Sequence, residues 1–222
     1  MLHNKFNING LSDAEVKKAI QFIISIHIPI ILTVFIPLAL GWIYPNIFSP
    51  IHIIFLELIM GPTCSIVYEN EPMEKNTMVK QPRPFTNTFF HWKELSTSIM
   101  QGLVITVGTL SVYQFSIYQG YNEQLTRTMV FLVIVTLNIF LTLMNRSFHY
   151  SIFTTLRYKN NLVFLIVGIT IVIIAVLLYV KLLTDFFLFE HLNSIQLSIA
   201  VGIGGASVLW YELVKIWKRN KI

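Results

Sequence analysis

The sequence predicts an all-α integral membrane protein with six transmembrane helices, on three observations. Of 222 residues, 55% are hydrophobic and only 12% charged, with a mean hydropathy of +0.66. A soluble globule carries about a quarter charged residues, so this chain has too little polar surface to stay in water. Six apolar stretches, at 19–44, 50–68, 95–118, 128–144, 161–183 and 195–214, match the roughly 20 helical residues that cross a hydrocarbon core of about 30 Å. The charges lie between these stretches and form no patch, so the formal net charge of +5 points to no nucleic-acid partner. A soluble helical core needs a charged outer face on most helices, and a β-barrel needs short alternating segments; both are absent.

Taken in order, residues 1–18 are a polar cytoplasmic segment that includes the helix start. Asp13 and Glu15 there, and the length of the apolar run that follows, are unlike a cleavable signal. Ser12-Asp-Ala-Glu15 has capping-box spacing, which starts the first helix near Ser12 as a stalk running into the bilayer. The membrane domain, 19–214, follows; its loop 69–94 mixes acids, bases and prolines, suiting a connector or a cytosolic docking surface. In the last span Gly202, Gly204, Gly205 and Ala206 suit close helix contacts, with no preceding strand that would make them a phosphate loop. The tail, 215–222, is basic. The single cysteine, Cys64, excludes an internal disulfide and reads as a small apolar filler.

Orientation follows from Lys and Arg. Fourteen of the 16 lie in the termini and the loops 69–94 and 145–160; Arg127 and Lys181 alone lie on the other side. The positive-inside rule then puts both termini and those two loops in the cytoplasm. Asn145-Arg-Ser147, a match to a glycosylation acceptor, falls on that side.

Of the eleven acids, only Glu57 sits in the middle of a span. An ionised carboxylate facing lipid costs several kcal/mol, on the order of 3, so Glu57 is expected to face the bundle interior. Its bland role is a protonated hydrogen bonder between helices; its functional role is an ion or proton site. Pro62, with no amide proton, removes the helical partner of the Leu58 carbonyl, and Gly61 beside it lets the backbone unwind. In the first span Pro29 does the same to the Ser25 carbonyl and Pro37 to that of Thr33. At about 1.5 Å per residue, His27 and Gly61 both lie roughly 20 Å from the outer hairpin, expected at about 41–49, so the two breaks can meet. Carbonyl oxygens beside a carboxylate suit a desolvated cation. The candidate cation ligands are Glu57, Leu58, Gly61, Pro62, His27, Ser25 and, mid-span in the fourth helix, Asn138.

Lys17-Lys-Ala-Ile-Gln-Phe22, His27-Ile-Pro29, Glu57-Leu-Ile-Met-Gly-Pro62, Glu69-Asn-Glu-Pro-Met73 and Gln81-Pro-Arg-Pro84 resemble the C-terminal transmembrane region of cation-transporting P-type ATPases of the calcium-pump, bacterial type. The resemblance covers nearly the whole chain from Ser12. It implies that the six spans correspond to the family's fifth to tenth helices, that Gln81-Pro-Arg-Pro84 lies in the loop contacting the phosphorylation domain, and that Asn138 lies in the eighth helix. It also implies a bacterial plasma membrane. Two positions depart from the family: Gly61 stands where its members carry an aspartate, and Ile30 where calcium pumps place a glutamate. One carboxylate cannot neutralise two calcium ions, so a single ion, a monovalent ion or a proton fits better.

Asp13 and Asp185 are not followed by the Lys-Thr-Gly of the family's phosphorylated aspartate. The chain is therefore expected not to hydrolyse ATP alone and to hold no cofactor, with ATP and magnesium belonging to cytoplasmic domains outside this truncated chain. Its expected partners are the lipid bilayer, a transported cation or proton, and an N-terminal half of the pump. The alternatives are an independent six-helix gradient-driven transporter and a non-transporting scaffold or gene fragment.

Overall fold

The computed structural model of the chain describes residues 13–68, 92–147, 151–155 and 160–219. Ser12, all but the last three residues of the 69–94 loop and the end of the basic tail lie outside the described residues, so the capping box at Ser12 is not seen. The elements are α1 (Asp13–Ala39), α2 (Pro50–Pro62), a π-helical turn (Thr63–Val67), α3 (Trp92–Tyr118), α4 (Glu123–Asn145), α5 (Ile152–Thr155), α6 (Asn161–Tyr179), α7 (Lys181–Phe186) and α8 (Ser194–Arg219). Among the described residues there is no strand.

Five of these helices, α1, α3, α4, α6 and α8, are long and apolar enough to cross a membrane. The second apolar stretch is made in two pieces: 13 residues of α2, too few to span alone, and then the five-residue π turn. α4 begins at Glu123, not 128, and α8 runs on to Arg219, not 214; two further boundaries shift for a visible reason. α1 stops at Ala39, not 44, because the chain turns at Gly41, whose φ of +61° suits a residue without a Cβ. The fifth stretch is interrupted at Val180, which is extended, so that α6 ends at Tyr179 and the short α7 begins.

α4 is the axis of the molecule: 83% of its apolar window is buried, against 33–39% in the other four long helices. α1 packs on α3 and α8 packs on α4, and small residues set both distances. A Cβ on Gly102 would lie 2.8 Å from Ile28 of α1, one on Gly108 1.9 Å from the Ser207 hydroxyl of α8, and one on Gly204 3.0 Å from Thr136 of α4. The close-contact reading of the last span therefore holds for Gly204 and Gly205, which meets Phe140; Gly202 faces open space and Ala206 is exposed. α6 stands at the edge, with Phe164, Leu165, Ile169 and Val172 outward.

Polar clamps close both ends. At the end carrying residues 40–49, the buried Arg127 guanidinium donates to the Ile47 carbonyl at 2.7 Å and the Leu188 carbonyl at 3.2 Å, and pairs with Glu123 one turn earlier. His52 of α2 lies 2.7 Å from the Phe187 carbonyl and caps Ser49 in its own first turn. At the opposite end two buried lysines reach the last carbonyls of α4: Lys18 of α1 to Arg146 at 2.9 Å, and Lys215 of α8 to Met144 at 2.6 Å. Those carbonyls have no partner within their own helix, and a cation is the favoured partner at a helix C-terminus.

Candidate functional site

The side chains of residues 25 and 27 of one helix point about 200° apart, so those two side chains cannot meet at one site. The structure bears this out. Ser25 is wholly buried toward α3, its hydroxyl within 2.8 Å of the Gln21 carbonyl, 3.1 Å of the Gln101 side-chain oxygen and 3.2 Å of the Ser98 carbonyl. His27 faces the other way, toward α2, with Ile23 and Ile31 exposed one turn to either side. Its Nδ1 lies 2.7 Å from the Ile23 carbonyl.

There it meets Glu57. Nε2 of His27 and Oε1 of Glu57 are 3.1 Å apart, and the two side chains remain 38% and 45% exposed. A carbonyl oxygen only accepts, so Nδ1 carries a proton; the close approach of Nε2 to a carboxyl group is attractive when a further proton lies on one of the two. The contact ties α1 to α2 at mid-length, and among the described residues it is the one charged contact of each partner.

Glu57 thus lies on an exposed face of the bundle and not in its interior, contrary to expectation. The reason is the phase of α2: His52, Leu56, Ile59 and Met60 are buried, which leaves Ile54, Glu57, Leu58 and Gly61 on the opposite side. The Leu58 side chain is exposed, Gly61 has no atom within 4 Å of where a Cβ would stand, and Pro62 is exposed. There is accordingly room beside the carboxylate.

The expected pair of helix breaks takes a milder form. α1 continues through both Pro29 and Pro37, and α2 widens into the π turn immediately after Pro62 instead of opening. Asn138 is buried in α4, and its Oδ1 has no hydrogen-bond partner among the described residues. Among the described residues no third His, Cys, Asp or Glu joins the His27–Glu57 pair. One carboxylate and one imidazole on two helices offer two donors, fewer than a cation needs without carbonyls, water or other chain beside them.

Sequence reasoning missed Arg127, His52, Lys18 and Lys215. Arg127 carried a signal, as one of two basic residues on the sparse side of the chain, and His52 carried one as a polar residue inside the second apolar stretch; Lys18 and Lys215 were hidden among the charges of the termini.

Comparison with known proteins gives a consistent picture. Residues 45–217 match the family model described as cation transporting ATPase, C-terminus. The chain is similar to calcium-transporting ATPase type 2C member 2 of Mus musculus, 24% identical over 79% of this chain and 19% of that protein. It is also similar to calcium-transporting ATPase 1 of Schizosaccharomyces pombe, 21% identical over 93% of this chain and 23% of the relative. A calcium-transporting ATPase of Listeria monocytogenes is 21% identical over 91% and 22%. The chain spans about a fifth of the length of the curated relatives it matches.

Proposed function

The chain belongs to the cation transporting ATPase C-terminal family, and from that premise we propose that it forms the C-terminal membrane part of a cation pump and contributes the carboxylate of the cation path. The observation that carries the reading is the meeting of His27 and Glu57 across α1 and α2, near the middle of both helices, on a face with room beside it. In this reading α2 and the π turn together make the second of six spans, which correspond to the fifth to tenth helices of the whole pump. Both termini are cytoplasmic, and ATP hydrolysis belongs to other domains.

Glu57 supplies the single negative charge, His27 orients it, and the carbonyls near Gly61 and Pro62 supply neutral oxygens. Exposure of the pair is what a site completed by further helices requires, because half of its ligands then come from outside this region. The Ser25 side chain points away from the pair, which leaves only its carbonyl as a candidate; Asn138 remains a candidate from the side of α4. The cargo is one cation per carboxylate, calcium among the choices that the relatives' names suggest.

The test is reconstitution of the chain with a cytoplasmic half bearing the phosphorylated aspartate, followed by ATP-dependent uptake into vesicles. Glu57→Ala is expected to abolish uptake, and transport that survives the substitution unchanged rejects the assignment.

A further inference from the structure

We infer that the π turn is a one-residue register switch in the second apolar segment, able to tighten into α-helix and so rotate the chain beyond it against the bundle. Three observations place the switch at Thr63–Val67. The turn begins immediately after Pro62, whose ring displaces the carbonyl of Leu58 and whose missing amide leaves that carbonyl without its helical donor. A wide turn, bonded five residues back, absorbs one extra residue there, and such turns recur at functional positions. The turn sits where three helices meet, touching α1, α4 and α6, and not at a loose end. Its last carbonyl, that of Val67, is held by a side chain and not by the helix alone: Asn160, at the start of α6, donates to it at 3.3 Å.

The two registers are both compatible with a packed core. Beyond the wide turn each residue points about 100° short of its direction in an uninterrupted α-helix. In the structure Val67 and Tyr68 face inward, with the Tyr68 ring 5.5 Å from Phe22 of α1, while Ile66 is exposed. On tightening, Val67 takes the direction now held by Tyr68, and Ile66 that of Val67. Two branched aliphatic side chains replace one aliphatic and one aromatic, so the inward face stays apolar while Tyr68 swings away from Phe22. A packed interface of this kind has discrete alternatives. The switch lies between the level of Glu57 and the connection that begins at residue 69, where it converts rotation at one into displacement at the other. It holds whether or not Glu57 meets a cation.

Cysteine pairs in the full chain in lipid nanodiscs test this, in a Cys64→Ala background with a short bifunctional thiol reagent. Phe22→Cys with Tyr68→Cys reports the wide register, Phe22→Cys with Val67→Cys the tight one, and Phe22→Cys with Ile66→Cys is the control. The 22–68 pair is expected to react at least tenfold faster than 22–67, and 22–67 faster than the control because the tight register is visited. Pro62→Ala, which restores the amide, is expected to invert the ratio of the first two. Equal rates for 22–67 and the control, or an unchanged ratio in Pro62→Ala at unchanged helix content, overturn the switch. Should Pro62→Ala fail to fold, Asn160→Ala, which removes the hold on Val67, is expected to raise the 22–67 rate severalfold; no change there overturns it equally.

Discussion

The two faces of α1 obey different rules. Toward α3 the helix is a scaffold: Phe22, Ile26 and Ile30 are buried, the Ser25 hydroxyl has three oxygens within hydrogen-bond distance, and Gly102 of α3 leaves no space beside Ile28. Toward α2 it is open: Ile23, Ile31 and Phe35 are exposed, and His27 and Glu57 hold one another across a surface. Close packing is concentrated in the bundle of α1, α3, α4 and α8, and the His27–Glu57 pair sits on the side the bundle does not use.

The comparison breaks if substitutions in the two layers cost the same. The largest loss is expected for Gly108→Leu, because even a Cβ there meets the Ser207 hydroxyl at 1.9 Å; about 3 kcal/mol of stability is expected to go, read as a lowered Tm of the detergent-solubilised chain. Arg127→Met comes next, at about 2 kcal/mol, since it strands the buried carbonyl of Ile47 and frees that of Leu188; a shift in the denaturation midpoint measures it. Lys18→Met, which leaves the C-terminus of α4 short of one cation, is expected to cost about 1 kcal/mol, and hydrogen exchange in the last turn of α4 is expected to quicken.

The smallest effect sharpens the comparison and does not merely complete it. Glu57→Gln is expected to cost less than about 0.5 kcal/mol, the scale of a partly exposed pair. In lipid vesicles its Tm is expected to rise if acyl chains cover this face, because an ion pair in hydrocarbon is costly, and to stay level if other helices cover it. The same measurement on His27→Ala must move in the same direction, or the two residues do not act as a pair.

Long apolar stretches were legible because hydropathy is local: five of the six predicted stretches contain a helix long enough to span, and the sixth is α2 with its π turn. Glu57 was legible for the same reason, as a lone acid among apolar neighbours. Its orientation was not, since which side of α2 is buried depends on where α1 and the segment 186–190 lie. Ser25 was legible through the carbonyl that Pro29 leaves without its amide donor, while the burial of its hydroxyl toward α3 depends on a helix about 75 residues away. Pro62 announced an irregularity without its form, because whether a helix opens or widens is decided by the packing around it. Lys18 was invisible as a clamp, for its acceptor lies 128 residues away.

The sheathing of α4 has a consequence for how the protein is made. Thr128, Thr136, Asn138, Thr142 and Asn145 are all buried within that helix, and Gly204 and Gly205, which cover part of its face, lie on α8, a helix synthesised well after it. Until α8 arrives, α4 must wait with hydroxyls and amides turned toward lipid or toward whatever attends nascent chains at the site of insertion. Biogenesis, and not the finished bundle, is then the stage at which this segment is most vulnerable, and chains shortened before residue 194 are expected to be removed by proteolysis as they emerge.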